Sequence, residues 1–470
     1  MILFLFLFLG KLNNKIIYTL LKPVEDKLLN KLREDAVSLF FVGIKAASPF
    51  ILIPNHMLLE ENILTISDIN GISKSFNFNN YDRIIVIGAG KASTSMAYEV
   101  EKILEDKINE GLVVTKYNFR SELERIQVLE ASHPLPDKNG IEASKMIVEI
   151  CKNAREDDLI IKLISGGASS LLPSPADSIT VEDKIKTTGI LLRAGAAIHE
   201  LNTVRKHISA IKGGQLAKYV FPTTIINLII SDVVGDHLDV IGSGLTVPDP
   251  TTFEDSLNIV IKYKLENKIP HSVKNYLGDG IKGKVPETPK PGNPIFNNVY
   301  NFIIGNNELA LSTIKTAAKD KGYNAKIISS TLEGEAKDAG KFITQIAKEY
   351  SLSEVKPVCL IFGGETTVTV KGNGKAGRNQ ELCLSTAIEI DGMKNITFLS
   401  GGTDGNDGQT EAAGAVCNGR TIERAKELGL DAVKFLDDND SYNFFNKLGD
   451  LIITGATNTN VMDIQILLIS

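Results

Sequence analysis

The hydrophobic residues of this chain fall in short continuous runs, and stretches with helical periodicity lie between them. Runs such as RIIVIG, DLIIKLIS, TIINLIIS, PVCLIFGG and NITFLSGG contain several β-branched or aromatic residues in succession. Apolar runs that do not alternate with polar residues are typical of strands buried on both faces of a sheet. Stretches such as ASTSMAYEVEKILEDKI are amphipathic with a helical period. The alternation of these two patterns predicts an α/β fold built on parallel sheets.

A proline-rich segment interrupts this pattern. Residues 284–294, KVPETPKPGNP, contain four prolines and no apolar periodicity, and the chain of 470 residues is too long for one ordinary core. We therefore predict an N-terminal α/β domain over residues 31–283, a linker over 284–294, and a second α/β domain over 295–470.

The chain begins with an apolar run, MILFLFLFLGK. This run is shorter than the roughly 20 apolar residues that a membrane-spanning helix needs. It also lacks the basic region and the small-residue cleavage site of a signal peptide. We treat residues 1–30 as an appendage to the first domain and expect no stable membrane association.

Charge and cysteine content restrict the class of partner. The formal net charge is −6 and no basic run stands out, so nucleic acid is not an expected partner. The four cysteines are far apart and form no Cys-x-x-Cys pair, which is typical of reduced core thiols in a cytoplasmic protein. The oligomeric state, including a homo-oligomer, stays open at this point.

Glycine, serine, acidic and amide residues follow the predicted strands repeatedly. In open α/β sheets, ligands bind beyond the carboxyl ends of the strands. The candidate binding residues at these ends are Gly88, Gly90, Lys91, Ser165, Gly166, Gly167, Ser169, Asp232, Glu365, Asp404 and Asn460. Their recurrence after several strands indicates one composite cleft.

The stretch VIGAGKAS is neither a P-loop nor a complete dinucleotide fingerprint. A P-loop requires glycine and Ser/Thr where this chain has Ile85 and Ala92. The dinucleotide fingerprint requires a third glycine or alanine where Ser93 stands, and an acidic residue after the next strand, which instead ends near Lys116. What remains is a glycine turn that presents Lys91 and bare backbone amides to an anion at a helix start, or a solvated first-turn lysine.

Two further segments bring basic residues to predicted helices. GRNQELCLSTAI places Arg378 at a helix start, where a guanidinium binds phosphate oxygens bidentately, although a surface arginine on a loop fits the same pattern. ELNTVRKHISAIKGG places Asn202 and Arg205 on one helical stretch, which is either a basic wall for phosphates or a solvated face. A cleft with these cations and several acids suits phosphoryl transfer, which uses cations on the transferred group and Mg²⁺ held by carboxylates.

Taken together, the motifs resemble those of one family. The segments VIGAGKAS, SHPLPD, LISGGASSLL, ELNTVRKHISAIKGG, ISDVVGD, GGETTVTVKGNGKAGRNQE, LSGGTDGNDG and TGATNTNVMD resemble those of class II glycerate kinases, the glycerate 2-kinase type with a C-terminal MOFRL domain. The resemblance extends from about Leu32 to Ser470.

The resemblance implies ATP, Mg²⁺ and D-glycerate, with 2-phosphoglycerate as the usual product. It also implies a Rossmann-like domain and a second α/β domain with the active site in the cleft between them. By motif position, Lys91 and Arg378 match the basic catalytic pair of the family. The acidic and amide site residues of the family match Asp232, Glu365, Asp404 and Asn460. Asp232 is a third catalytic candidate, and Asp232, Glu365 and Asp404 are the candidates for Mg²⁺.

Two other functions stay open on the sequence. One is an NADP-dependent hydroxypyruvate reductase, against which the incomplete dinucleotide fingerprint counts. The other is a non-catalytic sensor of a sugar acid or nucleotide, against which the basic pair counts. The sequence does not decide which carboxylate holds Mg²⁺ and which orients the hydroxyl of glycerate.

Overall fold

The computed structural model describes residues 26–352 and 355–470 and divides into two compact units. The N-terminal unit contains Ala46–Leu309 and the short segment Asn458–Val461. The C-terminal unit contains the described residues up to Lys45, together with Ala310–Thr457 and Met462–Ser470.

The N-terminal unit is built on a six-stranded sheet in the order β6-β5-β4-β7-β8-β9, in which every neighbouring pair is parallel. This is the strand order of the Rossmann fold. A separate antiparallel sheet consists of β1, β2 and β3. The strand bounds are β1 Met57–Glu60, β2 Ile63–Ser67, β3 Ser73–Asn77, β4 Arg83–Ala89, β5 Ile108–Lys116, β6 Gln127–Ala131, β7 Asp158–Ile164, β8 Thr224–Ile230 and β9 Val299–Gly305.

Helices precede and connect these strands, although the first helix up to Lys45 and the last helix from Ala310 belong to the C-terminal unit. Their bounds are α1 Lys27–Ala46, α2 Pro49–His56, α3 Ser93–Leu104, α4 Lys138–Lys152, α5 Ala168–Leu171, α6 Val181–Arg193, α7 Ile198–His207, α8 Gln215–Val220, α9 Phe253–Lys262, α10 His271–Ile281 and α11 Asn307–Asp320. Short 3-10 turns lie at Phe78–Asn80, Glu105–Lys107, Val234–Asp236, Ile241–Ser243 and Pro294–Phe296. Four of the helices, α6, α7, α9 and α10, share a hydrophobic core of their own that includes Leu191, Val204, Val260 and Leu277.

The C-terminal unit is built on a second six-stranded sheet in the order β10-β11-β15-β12-β13-β14. The bounds are β10 Asn324–Leu332, β11 Val358–Gly364, β12 Ile396–Gly402, β13 Gly414–Asn418, β14 Leu451–Ile452 and β15 Asp463–Ile469, with α12 Ala336–Ser351, α13 Arg378–Glu389, α14 Thr421–Glu427, α15 Ala432–Asp437 and α16 Ser441–Leu448. Its core joins side chains of β11, β12 and β15 to those of α12, α13 and α16.

The second sheet is mixed, which corrects the expectation of parallel sheets throughout. Only β10 and β11 pair in parallel, and the other pairs are antiparallel. The central strands β11, β12 and β15 are nevertheless buried along their whole length. An unbroken apolar run reports burial on both faces, and it does not report the direction of the neighbouring strand.

The unit boundaries differ from those expected from the sequence. The proline-rich residues 284–294 lie inside the N-terminal unit, because the following strand β9 pairs in parallel with β8. At the other end, α1 belongs to the C-terminal unit, where Arg33 forms a buried ion pair with Asp450 at 2.8 Å. Residues 27–30 of the expected appendage are therefore the first turn of α1, and residues 1–25 lie outside the described part of the chain.

No single helix in the described part of the chain is long and apolar enough to cross a membrane. The consecutive helices α1 and α2 together reach the required length and composition, but the chain is bent between them.

Candidate active site

The order of strands brings three of the predicted segments to one edge of the N-terminal sheet. Strand β4 lies beside β7, and β7 lies beside β8. The residues that follow these strands are Lys91, Ser165 and Asp232. The strand order reverses between β4 and β7, and ligands of open α/β sheets bind at this kind of reversal.

The turn after β4 is held tightly against the turn after β7. Gly90 has φ +140°, and a Cβ atom there would lie 2.5 Å from the carbonyl oxygen of Ser165. The amide of Lys91 donates to the carbonyl oxygen of Gly166 at 2.8 Å, and the amide of Ala92 donates to Oγ of Ser165 at 3.0 Å. The expectation of bare amides at this helix start is therefore wrong, since both amides are used within the protein.

Ser93, which stands in place of the third fingerprint glycine, also bonds within the fold. Its hydroxyl donates to the carbonyl oxygens of Gly90 and Val114, both at 2.8 Å. Gly88 lies within β4, where a Cβ atom would come 2.7 Å from the carbonyl oxygen of Leu163 on β7. Gly88 therefore serves the packing of the two strands.

Gly166 lies against the side chains of Asp232 and Asn460. A Cβ atom on Gly166 would come 2.8 Å from Cγ of Asp232 and would also collide with the amide of Asn460. The amide nitrogen of Asn460 donates to Oδ2 of Asp232 at 3.1 Å. The structure therefore brings three predicted site residues, from three distant segments, into direct contact within the N-terminal unit.

Gly167 carries this cluster on to Lys91 and His133. It has φ +90°, and a Cβ atom there would lie 3.0 Å from the His133 ring and 3.5 Å from Cγ of Lys91. His133 follows β6, so the sequence motif SHPLPD reaches the same place. We define the N-terminal cluster as Lys91, His133, Gly166, Gly167, Asp232 and Asn460.

Ser169, Asn202 and Arg205 form a second group in the N-terminal unit. Ser169 is on α5, and its Oγ accepts a hydrogen bond from the guanidinium of Arg205 on α7. It also accepts from Nζ of Lys212 at 2.6 Å. Oδ1 of Asn202 accepts from Arg205 at 3.4 Å and from the hydroxyl of Ser243 at 3.2 Å. Arg205 is therefore on a bonded interior face of α7, and the interpretation as a solvated helix face is wrong.

The C-terminal unit places three acidic residues at one edge of its sheet. Glu365 follows β11, Asp404 follows β12, and Asp463 is the first residue of β15, which lies between those two strands. Because β15 runs antiparallel to both, its amino end meets their carboxyl ends. Asp463 is the register partner of Gly364 on β11 and of Gly402 on β12.

Arg378 joins two of these acids at the start of α13. Its Nε and one terminal nitrogen donate to the two carboxylate oxygens of Asp463 at 2.5 and 2.9 Å, and its other terminal nitrogen lies 2.8 Å from Glu365. Burial alone would lower the pKa of Arg378, but the Asp463 and Glu365 carboxylates outweigh it and raise the pKa above the usual range. The guanidinium is therefore permanently charged.

Asp407 holds the helix that carries Arg378. Its carboxylate accepts hydrogen bonds from the backbone amides of Asn379 at 3.1 Å and Gln380 at 2.8 Å. Amides at a helix start have no acceptor within the helix, so Asp407 satisfies them. A Cβ atom on Gly377 would collide with this carboxylate. Burial raises the pKa of Asp407 to about 7, although the two amide hydrogen bonds oppose the shift. We define the C-terminal cluster as Glu365, Arg378, Asp404, Asp407 and Asp463.

The metal candidates are divided between the two clusters. Asp232 belongs to the N-terminal unit, whereas Glu365 and Asp404 belong to the C-terminal unit. Residues 26–352 and 355–470 contain no group of three or more His, Cys, Asp or Glu side chains placed to hold a metal ion. The amide of Asn406 donates to the Asp404 carboxylate at 3.0 Å, so this acid also has a structural hydrogen bond.

Sequence reasoning missed Asp463 as a site residue. The rule that ligands bind at the carboxyl ends of strands does not lead to Asp463, which stands at the amino end of β15. An acidic residue directly before a largely apolar run, IQILLI, is the signal that could have found it.

Comparison with known proteins places the chain in a family. Residues 35–278 match the model of a domain of unknown function, DUF4147, and residues 358–463 match the MOFRL family. The chain is 43% identical to the glycerate 2-kinase of Pyrococcus horikoshii over 93% of this chain and 98% of that protein. It is 44% identical to the D-glycerate 2-kinase of Thermotoga maritima over 83% of this chain and 91% of that protein.

Structural comparison agrees. A crystal structure of glycerate kinase from Thermotoga maritima superposes with a TM-score of 0.80 at 40% identity, covering 94% of this chain and 100% of that one. A relative from Agrobacterium vitis, 41% identical over 82% of this chain and 87% of that protein, bears the name hydroxypyruvate reductase. With matches of this extent in both units, the chain belongs to the glycerate kinase family that combines the DUF4147 and MOFRL domains.

Proposed function

We propose that this protein is a glycerate 2-kinase, which transfers the γ-phosphoryl group of ATP to the 2-hydroxyl of D-glycerate and releases ADP. The observation that carries the proposal is the 43% identity to a glycerate 2-kinase over 98% of that protein's length, in a chain that has Lys91 beside Gly167 and Arg378 paired with Glu365 and Asp463. Phosphoryl transfer needs cations where charge builds on the transferred group, and acids that hold the metal or orient the acceptor.

We propose that Lys91 and Arg378 both act on the transferred phosphoryl group. Lys91 is a compact and mobile charge, and its backbone is fixed by the Gly90 and Gly166 turns. Arg378 is the opposite case, since its planar guanidinium is already held by Asp463. Donors that are fixed before the reaction stabilise developing charge without reorganisation during it.

Asp232 is the residue that we propose for Mg²⁺. This ion usually takes one or two protein carboxylates together with substrate phosphates and water, so a group of three protein ligands is not required. Glu365 fits less well because its charge is paired with Arg378 at 2.8 Å. The ion would neutralise charge on the phosphates of ATP. Asn460, bonded to Asp232 at 3.1 Å, would keep that carboxylate in one orientation.

The turn after β4 argues against the reductase. A dinucleotide pyrophosphate needs free amides at the first helix start of a Rossmann fold. Here the amides of Lys91 and Ala92 are bonded to the turn after β7. The buried Asp463 holds Arg378 in place through two hydrogen bonds. A non-catalytic sensor does not require an arginine fixed in this way.

The decisive experiment follows ADP release and NADPH oxidation in parallel with purified protein. We expect ADP release that requires both D-glycerate and a divalent cation, and no NADPH oxidation with hydroxypyruvate. Proton-coupled ³¹P NMR of the product then identifies the phosphorylated hydroxyl. Oxidation of NADPH without ADP release would overturn the proposal, and a product phosphorylated only at the 3-hydroxyl would overturn the regiochemistry.

We also propose a cytoplasmic location. All four cysteines are buried and unpaired, which suits a reducing compartment. The oligomeric state is to be measured by light scattering, with a monomer and a homo-oligomer as the two outcomes.

A further inference from the structure

Three basic side chains meet inside the N-terminal unit without an acidic partner. Lys184 on α6 is 6% exposed and Lys212 is fully buried, while Arg205 on α7 is partly buried. None of the three lies within 4 Å of a carboxylate among the residues that the structure describes. Buried charges in proteins are ordinarily paired, because removing an isolated charge from water costs several kcal/mol.

The neighbouring Lys206 shows the ordinary arrangement. It is 2% exposed and lies 2.8 Å from Asp239 and 3.4 Å from Asp249. The chain therefore supplies acidic partners to a buried lysine one residue away from Arg205. Around Arg205, within the described part of the chain, the lack of acidic partners is therefore particular to Lys184, Arg205 and Lys212.

The hydrogen bonds of Lys184, Arg205 and Lys212 do not use all of their N–H donors. Lysine carries three N–H donors and arginine five. Lys212 donates to the backbone oxygen and to Oγ of Ser169 at 2.7 and 2.6 Å, and Lys184 donates to the backbone oxygen of Ser174 at 3.2 Å. Arg205 reaches Ser169 and Asn202. Burial lowers the pKa of Lys184 and of Lys212 well below the usual value, and the charge of Arg205 lowers both further.

Two residues of this group, Ser169 and Arg205, are reached by solvent. Ser169 and Arg205 are partly exposed, whereas Lys212, Asn202 and Ser243 are buried behind them. Ser169 also lies two residues after Gly167 in the chain, and Gly167 lies against the side chain of Lys91. A small anion that enters at Ser169 thus meets a guanidinium fork with lysine N–H donors behind it, and its negative charge would favour the protonated form of those lysines.

From this geometry we infer that Arg205, Ser169, Lys212 and Lys184 form the site that binds the carboxylate of the acceptor, a small hydroxy acid. A planar carboxylate matches the fork of a guanidinium. A compact single anion fits this group better than a triphosphate chain, because Lys212, Asn202 and Ser243 are buried. The inference rests on the proposed function for the identity of that acid, which is D-glycerate.

Arg205→Met and Ser169→Ala test the site, and Arg193→Met serves as the control. Arg193 is an exposed arginine at the end of α6, the helix that carries Lys184. We expect Arg205→Met to raise the Kd and the KM for D-glycerate at least about 10-fold, since hydrogen bonds to charged groups are strong. The KM for ATP should change less than about 2-fold on the same grounds. Ser169→Ala should act in the same direction with a smaller loss.

Direct binding is measured by calorimetry without ATP, with glycerol as the probe that lacks the carboxylate, and circular dichroism checks folding. We expect the wild type to bind D-glycerate and not glycerol. If Arg205→Met and Ser169→Ala both fold and bind D-glycerate as the wild type does, or weaken only ATP, the inference is overturned. If the wild type binds D-glycerate through Arg205 but transfers no phosphate, the site stands and the proposed kinase activity fails.

Discussion

Asp463→Asn isolates the contribution of the carboxylate that holds Arg378. The substitution keeps the size of the side chain but replaces one acceptor oxygen by an NH₂ group. That group would face a donor of the guanidinium, which now bonds to both oxygens at 2.5 and 2.9 Å. One of the two hydrogen bonds is lost, and an N–H of the new amide points at an N–H of the guanidinium. Arg378 is therefore expected to leave its present orientation.

The size of the effect follows from burial. Asp463 is fully buried and Arg378 is 32% exposed. Breaking a buried ion pair by removing one partner costs about 3–5 kcal/mol. We expect about 3 kcal/mol in the free energy of unfolding, near the lower end of that range, because Glu365 at 2.8 Å still pairs with the guanidinium. A misplacement of about 1 Å in a positioning group costs on the order of 10²-fold in rate. We therefore expect a loss of that order in kcat.

The assay is steady-state kinetics with ATP and D-glycerate, combined with urea unfolding. Asp450→Asn is the matched control, since Asp450 is also fully buried in the C-terminal unit and accepts hydrogen bonds from Arg33 and Arg424. The control should lose stability and keep most of its kcat. The reasoning is refuted if Asp463→Asn keeps kcat within about 3-fold of the wild type, or if both variants lose the same fraction of kcat while folded.

Three further predictions concern the N-terminal unit. Lys91→Ala should lower kcat by about 10²- to 10³-fold with little change in KM, as for the loss of one preorganised donor; a change in KM alone would make Lys91 a binding group. Gly166→Ala should lower kcat while the protein stays folded, since the added methyl displaces Asp232; kinetics matching the wild type would show that the Asp232 position is not needed. Burial lowers the pKa of Lys162 to about 7, whereas the pKa in the unfolded chain is near 10.4. Burying this lysine therefore lowers the free energy of unfolding by its full amount below about pH 7, and the loss shrinks as the pH rises towards about 10.4. Lys162→Met should therefore raise the thermal midpoint more at pH 7 than at pH 10, and an equal gain at both pH values would contradict this.

The Rossmann-like sheet and most members of both clusters were accessible from the sequence. Parallel strands put their carboxyl ends on one edge, so the residues after β4, β7 and β8 had to meet once the strand order was given. Gly166 and Asp232 are a clear example, because the glycine was predicted at the site and its contact with the carboxylate is the reason that no larger residue fits.

Other features needed the folded structure because they depend on long-range pairing. Nothing in the run DIQILLIS indicates that it lies antiparallel between β11 and β12, and only that placement turns Asp463 into the partner of Arg378. The sequence predicts free backbone amides after Gly90, but those of Lys91 and Ala92 donate hydrogen bonds to the turn after β7.

The sequence by itself determined the residue types available for chemistry, the strands that are buried on both faces and the family. The tertiary structure alone decided which charges are paired. Lys206 and Arg205 are adjacent in the chain, yet only Lys206 has acidic partners, Asp239 and Asp249, within 4 Å. The reason is that pairing depends on distances across the fold, whereas sequence patterns report only which face of an element is apolar.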